Sequence, residues 1–139
     1  MQNRVFTESD ANAMLLEHGI NPTPQRVTIM RLLFERGLHM SAEDIYRFVN
    51  AGDQQVSKAT VYNTLGLLAE RGVVREVIAN PSKVFYDPNT SPHHHFYNEE
   101  TGELTDIDGS EVRVEGLPPL PAGADLQGVD VIVRLRQAK

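Results

Sequence analysis

The pattern of residue types changes within residues 57–87, SKATVYNTLGLLAERGVVREVIANPSKVFYD, and this change predicts the fold. Ser57 is a preferred helix N-cap, and Gly72 is a preferred residue just beyond a helix end. Between them, apolar residues recur at the three- and four-residue spacing of one buried helix face: Val61, Leu65, Leu68 and Ala69. We therefore predict a helix over residues 58–71.

The second part of the same stretch predicts a β-hairpin. Two apolar-rich runs, 73–79 and 83–86, flank the turn-forming sequence Asn80-Pro81-Ser82. A pair of helices followed directly by a hairpin is the pattern of a winged helix-turn-helix, whose second helix enters the major groove of DNA.

Three more helices are predicted upstream of this stretch. Each begins at a residue whose side chain caps a helix N-terminus, and these residues are Thr7, Thr23 and Ser41. Pro24 fits the first helical position, while Gly19 and Gly37 are natural helix ends. Helices over residues 41–51 and 58–71 would then form the helix-turn-helix.

The fourth helix carries a surface that could contact DNA. Opposite its apolar side lie small or hydrogen-bonding residues, with Lys58 at the N-terminal end and Tyr62 at the boundary: Ala59, Thr60, Asn63 and Thr64. Solvated helix faces usually carry more charge, which favours a contact surface. An exposed helix in any small α/β domain fits this segment equally well, so the segment alone leaves both possibilities open.

The 139-residue chain has an ordinary globular composition and contains no cysteine. Disulfides, thiolate zinc sites, iron–sulfur clusters and cysteine nucleophiles are therefore excluded, and any metal must be held by His, Asp or Glu. No run approaches the roughly 20 apolar residues of a membrane span, and residues 1–10 are polar, unlike a signal peptide. We expect a cytoplasmic protein without a membrane partner.

The net charge of −6 is unevenly distributed, because residues 1–90 carry −1 and residues 91–139 carry −5. A chain this acidic can bind DNA only through a local basic surface. The electrostatic part of its affinity should be modest unless several copies add up or a metal offsets the charge.

Three of the five histidines are adjacent, at residues 93–95. A run of histidines can be an expression-tag remnant or a solvated loop, but this trio is internal. It also lies in a segment with β-strand character, because apolar residues on both sides of residues 99–102 fit a hairpin with a four-residue loop.

The register of that hairpin determines which side chains meet. Pairing Asn98 with Glu103 places His95 directly opposite Asp106. Because side chains alternate along a strand, His93 shares a face with His95 and Asp106, while His94 points to the other face. Two imidazoles and a carboxylate suit Zn(II), Fe(II) or Mn(II), whereas a register slip of one residue would destroy the set.

Several segments together resemble one family of regulators. They are Pro24-Gln25-Arg26, His39 with Ala42–Tyr46, Ser57–Leu65, Phe85–Asp87, the histidine trio and the final run Val129–Arg136. On these residues the chain resembles the ferric uptake regulator (Fur) family, and within it the iron response regulator (Irr) branch. The resemblance implies an α+β fold, with an N-terminal winged helix-turn-helix over residues 1–87 and a short C-terminal αβ dimerisation domain over residues 88–139.

The same resemblance implies a regulatory metal site for divalent iron, manganese or zinc. The positions that match the family's ligands are His39, Asp87, His93, His95 and Asp106. Three of these agree with the face derived from the hairpin. His39 alone would be interpreted as a surface or capping histidine, and Asp87 alone as a turn residue before Pro88.

The chain also departs from the family pattern. The Cys-x-x-Cys pairs that hold structural zinc in many members are absent, with Asn98 and Thr101 at the positions of the first pair, so no zinc site of that type is expected. The short C-terminal region and the consecutive histidines are typical of the Irr branch. That resemblance implies haem binding through His93, His94 and His95.

The last apolar run predicts how the C-terminal region is stabilised. Apolar residues alternate with mostly polar ones and give one apolar strand face: Val129, Val131, Val133 and Leu135. A tail this short buries too little surface by itself, so we predict that a second copy supplies the missing core. A monomer that folds this tail against its own helices is the alternative.

The sequence thus predicts a dimeric, iron- or haem-responsive transcription regulator rather than an enzyme. It would bind a palindromic, A/T-rich double-stranded operator through Ser57–Thr64, with Arg26 and Lys83 contacting phosphates and Tyr62 contacting thymine. One alternative is a peroxide sensor, in which Fe(II) at the same ligands oxidises His39 or His93. The other is a small metalloenzyme that uses the hairpin set as a facial triad, although such an enzyme needs no helix-turn-helix.

Overall fold

The computed structural model describes residues 5–37, 39–53 and 55–138, so the first four residues of the polar N-terminal stretch lie outside it. The helices are α1 (Glu8–Glu17), α2 (Pro24–Arg36), α3 (Ala42–Val49) and α4 (Lys58–Glu70). The strands are β1 (Met40–Ser41), β2 (Arg75–Asn80), β3 (Lys83–Asp87), β4 (His93–Asn98), β5 (Leu104–Asp108) and β6 (Ile132–Leu135). The predicted α+β class, helices followed by strands, is confirmed.

The chain divides into two compact units, Met1–Thr90 and Ser91–Lys139. The first unit contains all four helices and a three-stranded sheet, and the second contains the other three-stranded sheet. The sequence placed its domain boundary after residue 87, three residues before the division between the two units.

All four predicted N-caps are present. In α1 the Thr7 hydroxyl accepts from the Asp10 backbone N–H, and the Asp10 carboxylate accepts from the Thr7 N–H in return, which completes a capping box. The caps of α2, α3 and α4 each accept from the backbone N–H three residues on, and they are Thr23, Ser41 and Ser57. These bonds satisfy donors that the first helical turn leaves unpaired, which explains why the helices begin where the sequence predicts.

The core of the first unit is formed by the apolar faces of the helices and by buried residues of the sheet. Its fully buried members include Leu15, Ile29, Met30, Leu33, Ile45, Leu65 and Leu68. Phe48 of α3 is 45% exposed, and the Arg36 guanidinium lies 4.1 Å from its ring centroid. The residues before β2, Val73 and Val74, were predicted to begin the strand, but they join this core instead.

The predicted hairpin of the first unit is present as β2 and β3, and a third strand adds to it. The short β1 pairs antiparallel with β3, with Met40 opposite Tyr86 and Ser41 opposite Phe85. The sequence did not predict β1, because two residues carry no recognisable alternation. This pairing matters for the candidate metal site. It places His39, the residue before Met40, next to the end of β3.

The second unit has the strand order β5–β4–β6. The predicted register of β4 and β5 is confirmed, with His95 opposite Asp106 and Tyr97 opposite Leu104. The final strand is shorter than the predicted run, covers only Ile132–Leu135, and pairs parallel to β4. Among residues 91–138 the only helical segment is a 3₁₀ turn at Gly109–Glu111, and residues 113–130 are all exposed.

Within the described ranges, none of the helices is both long enough and apolar enough to cross a bilayer.

Candidate metal centre and DNA-contacting surface

The first unit contributes a histidine and a carboxylate. Because β1 pairs with β3, His39 and Asp87 lie at adjacent strand ends, and the His39 Nδ1 atom is 4.0 Å from the Asp87 Oδ2 atom. Asp87 is only 2% exposed, and its Oδ1 atom accepts from the Asn89 N–H at 2.9 Å. The edge of the His39 ring packs on Phe85, with ring centroids 5.8 Å apart. A buried carboxylate beside an imidazole is a suitable pair of metal ligands.

The second unit brings together the three residues that alternation placed on one face. The Asp106 Oδ1 atom lies 3.2 Å from the His95 Nε2 atom and 3.8 Å from the His93 Nε2 atom. The two imidazole rings are 4.6 Å apart, and both histidines are almost fully buried, whereas the Asp106 side chain is 51% exposed. The imidazole side of this set is therefore buried, and its carboxylate side is exposed to solvent.

A backbone carbonyl selects the nitrogen that His93 can offer to a metal. The His93 Nδ1 atom lies 2.7 Å from the Ser91 carbonyl oxygen. A carbonyl only accepts hydrogen bonds, so Nδ1 is the donor, and in the neutral imidazole the lone pair that a metal can use is on Nε2, which faces Asp106. Metal-binding histidines are commonly oriented by such a bond from their other nitrogen. The donor chemistry of this set therefore fits a divalent Zn, Fe or Mn ion.

His94 occupies the other side of β4. Its Nδ1 atom accepts from the Val131 N–H at 3.1 Å, and the residue is only 9% exposed. This bond joins β4 to the residue that precedes β6. The three adjacent histidines, predicted together as haem ligands, therefore do not converge on one point.

Two titratable groups near these residues have shifted pKa values. The pKa of Tyr86 is raised by its burial and, to a smaller extent, by the neighbouring Glu76 and Tyr62. The pKa of Asp108 is lowered by hydrogen bonds from the backbone N–H and then the hydroxyl of Ser110. Asp108 is paired with His93 across the hairpin, so it adds a negative charge to this end of the sheet at neutral pH.

The structure exposes most of the predicted DNA-contacting residues of α4. Ser57, Lys58, Ala59 and Asn63 are exposed, Tyr62 is 42% exposed, and the half-buried Thr60 hydroxyl accepts from Ser57. The placement of Thr64 on this surface was wrong, because Thr64 is only 4% exposed. It lies three residues after Val61 and four before Leu68, which puts it within the buried arc of the helix.

The predicted basic contacts already have neighbours within the first unit. The Lys58 ammonium lies 3.8 Å from the Glu43 carboxylate, and the Lys83 ammonium lies 5.4 Å from the Phe85 ring centroid. The Arg26 guanidinium donates to the Asn21 carbonyl oxygen at 2.8 Å. Lys58 and Glu43 are both 59% exposed, so their ion pair is weak and can exchange for a phosphate.

A groove between α3, α4 and the β2–β3 hairpin adds residues that the sequence did not single out. It has a volume of about 580 Å³, and its lining includes Tyr62 and Lys83 together with Arg47 and Ser82. Arg47 pairs with Asp44 on the exposed side of α3. No sequence signal indicated Arg47 or Ser82, because their position beside Tyr62 depends on how the hairpin packs against the helices.

The ferric uptake regulator family model matches residues 17–117. The chain belongs to the ferric uptake regulator family. Over 95 residues it is 35% identical to the peroxide-responsive repressor PerR of Staphylococcus aureus, and this region is 68% of the chain and 64% of that relative. The chain thus matches slightly less than two thirds of the length of this relative.

Solved structures of the ferric uptake regulator family share the fold. The ferric uptake regulator of Pseudomonas aeruginosa with manganese superposes with a TM-score of 0.71 at 25% identity, over 93% of this chain and 98% of that one. A zinc uptake regulator in complex with zinc and DNA superposes with a TM-score of 0.61 at 17% identity, over 94% and 90% of the two chains. At this lower identity the likeness is one of fold alone.

Proposed function

We propose that this member of the ferric uptake regulator family is a homodimeric, metal-responsive transcription regulator without enzymatic activity. The observation that carries the proposal is the convergence of His93, His95 and Asp106 on one face of a hairpin, in a chain whose first unit is a winged helix-turn-helix. One unit supplies a surface for DNA, and the other supplies most of a metal site.

The proposed metal ligands are the five residues His39, Asp87, His93, His95 and Asp106. Support comes from the pairing of His39 with Asp87 in one unit and from the three-residue set in the other. Metal binding changes DNA affinity only if the metal binds the DNA-binding conformation of the protein more tightly than other conformations.

The proposed DNA surface is the N-terminal half of α4 with the adjoining groove. Its residues are Ser57, Lys58, Ala59, Thr60, Tyr62 and Asn63, with Lys83 on the hairpin and Arg26 on α2 as phosphate contacts. Thr64 is not included, because its side chain is buried. The helix N-terminus adds backbone N–H groups that favour a phosphate, and a dimer would read two half-sites of a palindrome.

The direct test is fluorescence-anisotropy binding of the metal-stripped protein to an A/T-rich palindromic duplex at fixed salt concentration, with manganese added stepwise. We expect affinity to change at least about tenfold on metal addition, which corresponds to about 1.4 kcal/mol of coupling. Equal DNA affinity with and without metal would contradict the regulatory role of the site. Equal affinity for the palindrome and for an unrelated duplex would contradict the operator-binding role.

Replacing Tyr62 with Ala tests the base-contacting role of α4. We expect operator affinity to fall by about 1–3 kcal/mol, the usual contribution of one good base contact. Binding to a nonspecific duplex should change much less, because it depends on phosphate contacts. Both affinities are measured by anisotropy in the same buffer, and an equal loss on both duplexes would contradict the base-contacting role.

Peroxide sensing is a second candidate, favoured by the 35% identity to PerR of Staphylococcus aureus. In this version the proposed ligands would hold Fe(II), and hydrogen peroxide would transfer one oxygen atom to His39 or His93 and release the other as water. Mass spectrometry of the Fe(II)-loaded protein after peroxide treatment should then show a gain of one oxygen on a peptide containing one of these residues. An unmodified protein that keeps its DNA affinity would exclude this candidate.

A third candidate is an Irr-like response in which haem, and not a metal ion alone, is the regulating ligand. It is supported by the three adjacent histidines. His94 would have to exchange its bond with the Val131 N–H for a contact with iron, or leave the ligands to His93 and His95. Titrating haem in the anisotropy experiment tests this version. A fall in operator affinity with haem, beside maintained affinity with manganese, supports it, and no effect of haem excludes it.

A further inference from the structure

The second unit leaves half of its large apolar residues exposed. Among residues 91–138 the buried apolar side chains are Tyr97, Leu104 and Ile107. The exposed ones, between 36% and 57% exposed, are Phe96, Val114, Leu117, Leu120, Leu126, Val129 and Leu135. A unit of this size is marginally stable even with a well-formed core. Its uncovered apolar surface therefore indicates an interface.

One of the exposed segments is stiff and carries its leucines on one side. Leu117-Pro118-Pro119-Leu120-Pro121, the proline clasp, follows Gly116, whose φ of 78° turns the chain. Each proline fixes its own φ, and the residue before a proline is kept extended. These constraints favour a polyproline II conformation, in which residues three apart lie on the same side, so Leu117 and Leu120 would form one apolar ridge.

One part of the second sheet, around Phe96, is a suitable surface for this ridge, whereas His94 and Ile107 on the same face are buried. The parallel pairing of β4 with β6 places Phe96 beside Val133, and Leu135 follows on the same face. Phe96 and Leu135 are 37% and 38% exposed, and the metal-ligand set lies on the opposite face. Polyproline II segments dock on aromatic surfaces, and Phe96 is the exposed aromatic residue among residues 91–138.

We propose that the proline clasp of one copy packs on the Phe96–Val133–Leu135 face of a second copy, and that the reciprocal contact forms at the same time. Within one chain Leu117 and Leu120 stay exposed, and so do Phe96 and Leu135, so neither surface covers the other. A two-fold dimer pairs each surface with its complement in the partner, which is the self-complementary arrangement that two-fold symmetry requires. The stiffness of the clasp limits the entropy cost of docking.

This inference rests on the homodimer of the proposed function and names the contact that holds it together. Its test is the double variant Leu117→Asp with Leu120→Asp, studied by sedimentation velocity over a range of concentrations. We expect the dimer dissociation constant to rise at least tenfold. The control Leu16→Asp changes a leucine of α1 that is 64% exposed, and it should leave the dissociation constant unchanged.

A crosslinking experiment identifies the partner surface and does not depend on the stability of the charged variants. The chain has no cysteine, so the single variants Phe96→Cys and Leu117→Cys each carry one thiol. When the two are mixed and mildly oxidised, we expect a disulfide-linked heterodimer on a non-reducing gel. The control pair, Leu16→Cys with Phe96→Cys, should give far less product.

The outcomes separate the clasp from the proposed function. If the wild-type protein is monomeric at all concentrations, the homodimer of the proposed function fails and the clasp fails with it. If the wild type is dimeric, but the aspartate variant stays dimeric and no heterodimer forms by crosslinking, only the clasp is overturned. Dissociation of the aspartate variant together with the heterodimer crosslink supports it.

Discussion

At the scale of single residues, neighbouring backbone groups determine what each histidine can do. His93 and His94 are adjacent, yet the Nδ1 atom of His93 donates to the Ser91 carbonyl, whereas that of His94 accepts from the Val131 N–H. The first bond involves Nδ1, and the other ring nitrogen, Nε2, faces Asp106. The second uses the imidazole to connect two parts of the chain. Adjacent residues of the same type therefore have different chemistry.

Replacing His95 with Ala should remove one ligand from the metal set. We expect manganese or zinc affinity to fall at least about 100-fold, because even the loss of a group that only orients a ligand costs about 10–100-fold. Isothermal titration calorimetry, or competition with a chromophoric chelator, measures the change.

The control for this substitution is His18→Ala. The His18 ring hydrogen-bonds to the Met14 carbonyl oxygen within α1 and belongs to neither group of proposed ligands. Its removal should leave metal affinity unchanged. A metal affinity of His95→Ala equal to that of the wild type would show that the hairpin set is not the binding site.

At the scale of secondary-structure elements, one side chain holds the turn between α3 and α4. The Asn50 amide donates to the Tyr46 and Val56 carbonyl oxygens at 2.8 and 3.0 Å, and its oxygen accepts from the Val56 N–H at 2.7 Å. These bonds end α3 and position the chain that leads into the N-cap of α4. The orientation of the proposed DNA-contacting helix thus depends on Asn50.

The variant Asn50→Ala should leave the Val56 backbone groups without these partners. Because unpaired, poorly solvated polar groups are costly, we expect the free energy of unfolding to fall by about 1–3 kcal/mol. Urea unfolding followed by circular dichroism measures it, and Asn63→Ala, at an exposed asparagine of α4, should change it by less than about 0.5 kcal/mol. Equal stability of the two variants would mean that the turn does not need the Asn50 side chain.

The start of β4 packs closely against the 3₁₀ turn that follows β5. A Cβ atom on Gly109 would lie 2.6 Å from the Pro92 carbonyl oxygen, which is a backbone atom and cannot rotate away. The Gly109→Ala variant should therefore displace the strand beside His93. We expect a loss of about 1–3 kcal/mol of stability, as is usual for overpacking, together with weaker metal binding.

The matched control for this variant is Gly128→Ala, because a Cβ there would have no neighbour within 4 Å. Thermal unfolding and metal titration of both variants give the comparison. If Gly109→Ala unfolds and binds metal like the control, the packing of the turn on β4 does not support the metal set.

At the scale of the whole molecule, the negative net charge opposes DNA binding, so the position of the basic residues must compensate for it. The chain carries a net charge of −6, so the proposed dimer would approach DNA against an average repulsion. Attraction must come from a few basic residues close to the phosphates. Replacing any one of them should therefore reduce the salt dependence of DNA affinity.

The variant Lys58→Ala should weaken binding to operator and nonspecific DNA by a similar factor. It should also reduce the slope of log affinity against log salt concentration by about 2, because each of the two lysines of the proposed dimer would neutralise one phosphate. Anisotropy titrations at several salt concentrations measure the slope. The control Arg113→Ala removes an exposed arginine paired with Glu115 in the second unit, and an equal change of slope in that variant would show a general charge effect rather than binding of Lys58 to a phosphate.

The features that the sequence predicted correctly are those that depend on near neighbours. Thr7, Thr23, Ser41 and Ser57 cap helices because each bonds to a backbone N–H three residues away. The face shared by His93, His95 and Asp106 followed from strand alternation and one tight hairpin. Such signals lie within a few residues and need no knowledge of the remaining chain.

Other features were decided only by tertiary structure. The pairing of β1 with β3, which brings His39 to Asp87, joins segments far apart in sequence, and two residues of β1 carry no pattern. Thr64 is buried by the tertiary packing of α4, and β6 takes its short parallel register from its pairing with β4. Long-range pairing and burial are selected by the free energy of covering apolar surface across the whole chain. No local stretch of sequence contains that sum.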